Sequence, residues 1–268
     1  MLCPLCNSDH VRVLRMYSQD CIEQFYRTDP LFDSIDIDIQ QDVTGPVDLY
    51  QCLRCELKFY DPLYTGGSYF YSQLQKFPWY YQLHKSEFDY AKSYIKPTDT
   101  VLEIGCGAGH FANLIEGTYT GLDPYSQNPK VVKQSIHEHK GTYDVVCGFQ
   151  VLEHVTDTGK FIQSALGCLK PNGLLILSVP SEDSFLGNIE GWALNYPPHH
   201  VTRYTNQCLE NIARLFNLEC VSIYNEPLVE FHRSLLDEGK YYTIDSNINY
   251  DLGHTVIAVY KKINKRNL

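Results

Sequence analysis

The sequence has no apolar run long enough to cross a membrane, and its first residues lack the basic and apolar regions of a signal peptide. Basic residues are few, since 22 Lys and Arg stand against 32 Asp and Glu and leave a formal net charge of −10. Nonspecific binding to a nucleic-acid backbone needs clustered Lys and Arg, so this balance argues against a nucleic-acid partner. The absences, with a length of 268 residues and 44% apolar content, predict a cytoplasmic globular protein without a membrane partner.

Two common nucleotide-binding patterns are also missing. The Walker pattern, which ends in Gly-Lys-Ser or Gly-Lys-Thr, does not occur, and His110 stands where the dinucleotide pattern G-x-G-x-x-G needs its third glycine. The chain instead has an apolar strand pattern that runs into three glycines at alternate positions, Gly105, Gly107 and Gly109. Glycines there let a ligand approach the backbone, because a side chain would block it.

An acidic residue stands at the distance from this strand that a ribose-binding residue requires. Asp123 lies twenty residues after Glu103, at the end of a second apolar run over 119–122. A carboxylate in that position can accept hydrogen bonds from both hydroxyls of a ribose. Together with the glycines, it predicts a nucleoside-containing cofactor across the ends of two adjacent parallel strands. For the glycines alone, an ordinary strand-to-helix turn is the alternative interpretation.

Two C-x-x-C units stand out among the ten cysteines. In a cytosolic chain, two such units are typical of a tetrahedral, structural zinc site. The four candidate ligands are Cys3, Cys6, Cys52 and Cys55. A disulfide pair is the alternative, and it fits poorly with a reducing compartment. The intervening residues 7–51 are more than a compact zinc ribbon needs, so they predict an insertion in the module.

The order of apolar runs and turn signals divides the chain into three parts. We expect a small zinc-ribbon module over 1–62, an aromatic linker with a lid helix over 63–97, and a Rossmann-like domain over 98–268. The predicted strands lie at about 100–104, 118–122, 131–136, 143–148, 173–179, 218–225 and 254–261, and the predicted helices at about 82–95, 109–116, 157–169 and 205–216. Such alternation predicts an α/β fold with a largely parallel sheet covered on both faces and ligands at the carboxyl ends of its strands.

The glycine-rich segment, from Glu103 to Gly109, resembles motif I of the class I S-adenosylmethionine-dependent methyltransferases, and residues 143–155 resemble their motif IV. The resemblance implies a seven-stranded sheet, mostly parallel with one antiparallel strand, and S-adenosylmethionine as the cofactor. It also implies that Gln150 lines the methionine part of the cofactor and that Ser135 and Ile136 contact adenine. The cofactor-binding residues would then be Glu103, Gly105, Gly107, Gly109, Asp123, Ser135, Ile136 and Gln150.

A pair of adjacent histidines is the first candidate for catalysis. His199 and His200 follow two prolines and the strand predicted at 173–179, so their loop can fold over the substrate side of the cleft. Histidine is suited to proton removal near neutral pH, and methyl transfer to a hydroxyl or carbon nucleophile needs a base. A loop-anchoring pair, with Thr202 starting the next helix, is the alternative.

Glu153 and His154 are weaker candidates, because they follow the strand predicted at 143–148, whose end lies beside the methyl group in the family. The alternative for this pair is a polar helix start that orders the loop.

The tyrosines that precede the first strand of the sheet also have two interpretations: packing of the zinc module against the core, or a lid over the sulfonium of the cofactor through cation–π contacts. These tyrosines are Tyr69, Tyr71, Tyr80 and Tyr81.

Taken as a whole, the chain is similar to bacterial methyltransferases that carry an N-terminal zinc-binding module, among them deoxysugar C-methyltransferases. The resemblance implies methyl transfer to a polar small molecule, such as a sugar or a precursor of a surface polysaccharide or secondary metabolite. One alternative is a methyltransferase for a macromolecule that docks on the zinc module. Another is a non-catalytic module that binds S-adenosylmethionine, although the paired histidines favour catalysis.

Overall fold

The computed structural model of the protein describes residues 1–32, 37–77, 79–80, 82–237, 242–243 and 251–263. Its strands are β1 Val11–Tyr17, β2 Val47–Cys52, β3 Lys58–Asp61, β4 Thr100–Ile104, β5 Thr118–Leu122, β6 Tyr143–Phe149, β7 Leu169–Pro180, β8 Ile189–Glu190, β9 Thr202–Arg203, β10 Leu218–Asn225, β11 Tyr242–Thr243 and β12 Thr255–Lys262. Its helices are α1 Gln19–Thr28, α2 Ser68–Leu74, α3 Ser86–Lys92, α4 Thr158–Gly167, α5 Asn206–Leu215 and α6 Glu230–Asp237. Short 3-10 helices lie at Pro30–Phe32, His110–Leu114, Leu152–His154, Phe185–Asn188 and Ala193–Asn195.

Six strands form the central sheet of the described chain, in the order β10-β12-β7-β6-β4-β5. The four strands β4, β5, β6 and β7 run parallel, while β12 is antiparallel to both of its neighbours. The predicted α/β fold, with a largely parallel sheet and one antiparallel strand, is therefore confirmed. The bounds predicted for β4, β5 and β10 agree with the structure.

The seventh strand, predicted at 131–136, does not form a ladder in the described chain. Only Val132 pairs with the sheet there, as an isolated parallel bridge to Leu122. The backbone N–H of Gln134 donates to the carbonyl of Val132 at 2.9 Å, so the chain turns away directly after the bridge. This segment has the composition of a strand without its length, and the prediction of seven strands is corrected to six for the described residues.

Helix starts were harder to place than strands. The helix predicted at 82–95 begins at Ser86, and the one predicted at 109–116 is a five-residue 3-10 helix that follows the left-handed Gly109. Thr205 caps α5 by accepting a backbone N–H at 3.1 Å. Thr202, the alternative helix start, lies in β9 instead. No helix in the described part of the chain is long and apolar enough to span a bilayer.

The N-terminal residues build a second, antiparallel sheet with the order β1-β2-β3-β9. Its last strand comes from far along the chain, since Phe59 pairs with Thr202 and Lys58 with Arg203. The two additional short strands, β8 and β11, pair with each other. The pairing of β3 with β9 fixes the position of the residues that come just before β9.

The N-terminal sheet and the central sheet share one hydrophobic cluster. Cys3, Cys52 and Cys55 are buried in it together with residues of the central strands and α4. At the start of α4, the backbone N–H of Gly159 donates to the carbonyl of Pro4 at 2.9 Å. A Cβ at Gly159 would lie 2.7 Å from a backbone oxygen of the first C-x-x-C unit, so glycine is required for this close approach.

Candidate functional site

The glycine loop bends over the end of β5. The N–H groups of Gly105 and Cys106 both donate to the carbonyl of Leu122, at 2.7 and 3.1 Å. Gly105, Gly107 and Gly109 have φ values of +67°, +54° and +78°, which residues with a Cβ rarely adopt. The loop therefore presents backbone rather than side chains to the space beyond β4.

Asp123 holds this loop in shape. One carboxylate oxygen accepts from the N–H of Gly107 at 2.9 Å, and the other accepts from the N–H of Tyr125 at 2.8 Å. Each oxygen of an ionised carboxylate has two lone pairs, so both keep capacity for a further donor. The half-buried Asp123 therefore keeps acceptor capacity at the edge of the glycine loop.

Glu103, the acidic residue inside β4, is buried and accepts a hydrogen bond from the Tyr119 hydroxyl. Burial raises the pKa of Glu103 to about 8, and the bond from Tyr119 opposes only part of that effect. In the free protein at neutral pH, this carboxyl is therefore largely protonated. Lys85 lowers the same pKa, so a positive group nearby favours the ionised form.

A cavity of about 540 Å³ runs from the glycine loop to the paired histidines. Of the predicted site residues, it is lined by Glu103, Gly105, Gly107, Gln150, Glu153, His154, His199 and His200. Gly109 and Asp123 lie outside its lining, and so do Ser135 and Ile136. Ile136 is packed in the main hydrophobic cluster, and the Ser135 hydroxyl accepts the N–H of His137 at 3.2 Å.

Gln150 lies directly after β6 in a left-handed conformation, with a φ of +56°. Its N–H donates to the carbonyl of Ser178 at 3.0 Å, and its side-chain amide donates to the Thr255 hydroxyl at 3.4 Å. Such backbone strain persists only where the surroundings fix it. The side chain is therefore held at the floor of the cavity between β6 and β12.

The candidate catalytic residues come together in one cluster. The rings of His154, His199 and His200 have centroids 4.4 to 5.1 Å apart. Glu153 places one carboxylate oxygen 3.8 Å from Nε2 of His154 and 4.0 Å from Nε2 of His200. The sequence suggested Glu153-His154 and His199-His200 as two separate pairs, and the fold brings the two pairs together.

Burial controls the charge of this cluster. It lowers the pKa of His154 to about 4 and the pKa of His199 and His200 well below the ordinary value. Burial also raises the pKa of Glu153 to about 8. All three imidazoles are therefore neutral near pH 7, and each has a lone pair that can accept a proton or bind a cation.

Hydrogen bonds to backbone carbonyls hold the histidine loop, residues 197–201, against the cavity. The N–H of Val201 donates to the carbonyl of Glu153 at 2.8 Å, and Nδ1 of His154 bonds the carbonyl of His199 at 2.6 Å. From the other side, the N–H of Tyr60 in β3 donates to the carbonyl of Val201 at 3.0 Å. The loop is thus held between the end of β6 and the N-terminal sheet.

The cavity also contains residues that the sequence reasoning did not select. Trp79, Lys85, Trp192, His232 and His254 line it. Their segments precede β4 or follow β7, where no motif or spacing relates them to the glycine loop. A histidine directly before β12 is the one available signal, because β12 runs antiparallel to β7 and begins at the end of the sheet where β7 ends.

The tyrosines of the predicted lid are placed differently from one another. Tyr80 lines the cavity, and its hydroxyl lies 3.2 Å from Nε2 of His199. The ring of Tyr71 lies edge-on to His154 with centroids 6.2 Å apart. Tyr69 is exposed, and Tyr81 lies outside the described residues.

The four cysteines of the two C-x-x-C units converge. Sγ of Cys3 lies 3.6 Å from Sγ of Cys55, Sγ of Cys6 lies 3.5 Å from that of Cys52, and all four lie within 4.8 Å of one another. Zinc–sulfur bonds of about 2.3 Å imply tetrahedral edges of about 3.8 Å, so the set fits a zinc ion. These distances exceed the roughly 2.05 Å of a disulfide bond.

The backbone around the two cysteine pairs is matched. The N–H of Asn7 donates to the carbonyl of Cys3, and the N–H of Glu56 donates to the carbonyl of Cys52, both at 2.9 Å. Asn7 and Glu56 each follow a second cysteine and have left-handed φ values of 55° and 65°. Each pair thus lies in the same tight turn, which aims two sulfurs at a common point.

The sheet order, the one antiparallel strand and the glycine loop that opens onto a cavity agree with the fold expected for a class I S-adenosylmethionine-dependent methyltransferase. The methyltransferase domain family matches residues 80–223, more than half of the chain, and the chain belongs to this family. The fold is similar to that of a SAM dependent methyltransferase from Archaeoglobus fulgidus, with a TM-score of 0.53 and 18% identity over 66% of this chain and 92% of that chain. At this identity the likeness shows the fold alone.

Curated relatives match a smaller part of the chain. The ubiquinone biosynthesis O-methyltransferase of Bradyrhizobium sp. (strain ORS 278) is 31% identical over a stretch that covers 29% of this chain and 38% of that protein. The protein of the same name from Caulobacter vibrioides is 28% identical over 30% of this chain and 40% of that protein. The chain thus spans about two fifths of the length of these relatives.

Proposed function

We propose that this protein transfers the methyl group of S-adenosylmethionine to a hydroxyl of a polar small molecule, such as a sugar or a precursor of a surface polysaccharide or secondary metabolite. The observation that carries the proposal is a cavity that joins the glycine loop to the histidine cluster. Its lining includes the ionisable residues Lys85, Glu87 and Glu226, which suit a polar substrate. A hydroxyl is favoured because the curated relatives are named O-methyltransferases.

On the cofactor side, we assign binding to the glycine loop and its neighbours. Bound S-adenosylmethionine supplies an electrophilic methyl group for in-line displacement. Asp123 accepts the ribose hydroxyls, Gly105 and Gly107 leave room for the cofactor, and Gln150 lines its methionine part. Glu103 and Gly109 complete this side of the loop. We also assign adenine contact to Ser135 and Ile136, as the family resemblance implies.

On the substrate side, we propose that a cluster of four residues accepts the proton of the substrate nucleophile: Glu153, His154, His199 and His200. His200 is favoured as the acceptor because its Nδ1 is buried without a hydrogen-bond partner among the described residues. In His199, by contrast, Nδ1 bonds the carbonyl of Leu194 at 3.0 Å and Nε2 lies near the Tyr80 hydroxyl. Glu153, 4.0 Å from His200, can stabilise a positive imidazolium.

We further propose that Cys3, Cys6, Cys52 and Cys55 hold one zinc ion with no open position. Four thiolates fill a tetrahedral shell, so the ion would be structural. The turns at 3–7 and 52–56 support this role, because they bring the sulfurs together through backbone hydrogen bonds. The module would occupy 1–62, followed by the linker and lid helix over 63–97 and the methyltransferase domain over 98–268.

The test begins with the cofactor. Calorimetry should detect S-adenosylmethionine and S-adenosylhomocysteine and give no comparable signal with NAD. Asp123→Ala should weaken binding by about 1–3 kcal/mol, because buried hydroxyls lose their acceptor. Asp123→Asn keeps one oxygen acceptor and should lose less. Equal affinity in all three proteins would remove Asp123 from the site.

The second step identifies the methyl acceptor. The protein is incubated with S-adenosylmethionine that carries a labelled methyl group and with a metabolite extract, and the labelled product is identified by mass. A labelled ether on a small polar molecule is the expected product. Labelled protein or nucleic acid would instead support a macromolecular substrate, and tight cofactor binding without any labelled product would support a non-catalytic module.

A further inference from the structure

Three histidines, of which His154 is half-buried and His199 and His200 are buried, lie together at the histidine end of the cavity, with the buried Glu153 beside His154 and His200. One ring nitrogen from each of His154, His199 and His200 lies within 4.8 Å of the other two. Glu153 is 1% exposed, and neither of its carboxylate oxygens has a hydrogen-bond partner among the described residues. A buried carboxyl whose oxygens have no hydrogen-bond partner is costly, and a cation bound beside it would favour its ionised form.

Backbone carbonyls fix which nitrogens face the centre. Nδ1 of His154 donates to the carbonyl of His199 at 2.6 Å, and Nδ1 of His199 donates to the carbonyl of Leu194 at 3.0 Å. Because a neutral imidazole has one N–H, Nε2 of both rings must carry a lone pair. Metal-binding histidines usually donate their second ring N–H to a carbonyl or carboxylate in this way.

We propose that His154, His199, His200 and Glu153 form a binding site for a divalent transition-metal ion, distinct from the four-cysteine site. Three imidazoles and a carboxylate suit zinc, iron(II) or a related ion. Metal–nitrogen bonds of about 2.1 Å imply ligand separations of about 3.0 to 4.2 Å around one ion. The separations of 3.8 and 4.0 Å from Glu153 to His154 and His200 fall in this range and are too long for hydrogen bonds.

Tyr80 marks the side from which the ion would be approached. Its hydroxyl lies 3.2 Å from Nε2 of His199, so a bound ion would replace this hydroxyl as the partner of Nε2. Tyr80 also lines the cavity, as does each of the four proposed ligands. The ion would therefore be reached from the cavity that also contains the glycine loop.

The site deepens the proposed function, on which this step rests. A substrate hydroxyl bound to the ion would lose its proton to solvent at a lower pH. The resulting oxygen forms a bond to the methyl carbon as the carbon–sulfur bond breaks, and the sulfur leaves as a neutral thioether. With the ion bound, His200 is a ligand in place of the proton acceptor named in the proposed function, and the ion activates the nucleophile instead.

The experiment counts metal ions and does not depend on activity. The full-length protein is stripped with a chelator and titrated with Co²⁺, whose absorption separates thiolate from nitrogen and oxygen ligands. About two equivalents are expected, one with intense sulfur charge-transfer bands and one with weaker d–d bands. Glu153→Gln, which preserves volume, and His200→Ala should lose the second equivalent and keep the first.

His232→Ala is the matched control, because His232 lines the same cavity outside the proposed ligand set. This variant should keep both equivalents. The proposal is overturned if the wild-type protein binds metal only through sulfur, or if Glu153→Gln retains the second equivalent. Loss of that equivalent in His232→Ala as well would also overturn the assignment. Near-UV circular dichroism confirms that each variant is folded. If the search for a methyl acceptor fails, the number of bound metal ions still tests the metal site.

Discussion

Replacement of Glu182 should weaken the junction between the two sheets. Glu182 follows β7 and is buried, and one of its oxygens accepts from Lys58 of β3 at 2.7 Å. The other accepts from Nε and from the terminal nitrogen of Arg203 in β9, at 2.8 and 2.7 Å. One carboxylate thus binds cations on the two strands that hold the histidine loop in place.

The magnitude follows from the burial of the partners. The side chain of Arg203 is 7% exposed, whereas that of Lys58 is 22% exposed and can recover more hydration. Removal of one partner from a buried pair costs about 3–5 kcal/mol, because the remaining charge is left uncompensated. We therefore expect Glu182→Gln to lower the free energy of unfolding by about 3 kcal/mol. Lys58→Met should cost only about 1 kcal/mol, since the Arg203 pair remains.

The pH dependence has a definite sign. Burial by itself raises the pKa of Glu182, but Arg203 and Lys58 outweigh burial, and the pKa lies below the ordinary value of 4.5. A lowered pKa contributes stability above the unfolded-state pKa, and this stability is lost as pH falls toward the folded-state value. The difference between wild type and Glu182→Gln should therefore shrink below about pH 4.5.

Urea unfolding, followed by tryptophan fluorescence and circular dichroism, measures both effects. Glu210→Gln is the control, because Glu210 pairs with Arg214 at 3.7 Å on an exposed helix surface. It should change the free energy of unfolding by less than about 0.5 kcal/mol. If Glu182→Gln fell within the same range at pH 7, the argument that this buried carboxylate joins the sheets would be refuted.

Three further predictions concern the proposed sites. Burial raises the pKa of Glu103 from 4.5 to about 8, so the free energy of unfolding should fall by on the order of 4 kcal/mol as pH rises between these values. Glu103→Gln should abolish this fall in urea unfolding of the free protein, and an equal pH dependence in wild type and variant would contradict the prediction. Gly105→Ala places a Cβ 2.5 Å from Val151 at a φ of +67° and should lower cofactor affinity at least about tenfold by calorimetry, whereas Gly167→Ala, which meets no atom within 4 Å, should leave it unchanged. Cys52→Ser should remove the metal equivalent that has sulfur charge-transfer bands with Co²⁺, leave the equivalent proposed at the histidine cluster, and lower the melting temperature.

Sequence patterns predicted the inner strands of the central sheet well because β4, β6 and β12 are mostly buried. Such strands are largely apolar runs, and the glycine loop marks the end of β4. The Lys170-Pro171-Asn172 segment, which reads as a turn, lies inside β7 in the structure. The same reasoning gave the wrong strand at 131–136, where Val131 and Val132 are apolar but the chain turns at Gln134. Apolar composition indicates that a residue is buried, but it does not indicate how many residues pair with the next strand.

The site was predictable only where one motif carries the information. The glycines and Asp123 lie within one β–loop–β unit, so spacing alone relates them. His200 and Glu153 are 47 positions apart in the sequence, and a pattern in one segment carries no information about the other. Their separation of 4.0 Å depends on the N–H of Val201, which donates to the carbonyl of Glu153. Long-range hydrogen bonds of this kind leave no periodicity in the sequence.

The zinc module has a physical connection to the histidine loop that its sequence did not indicate. Cys55 lies three residues before β3, and β3 pairs with β9 two residues after His200. A metal that stiffens the turn at 52–56 therefore also restrains the start of β3 and, through Phe59 and Thr202, the end of the loop. The sequence offered a docking surface for a macromolecule as one role for the module. Support of the histidine loop explains why the cysteine turns are packed into the same core as the central sheet.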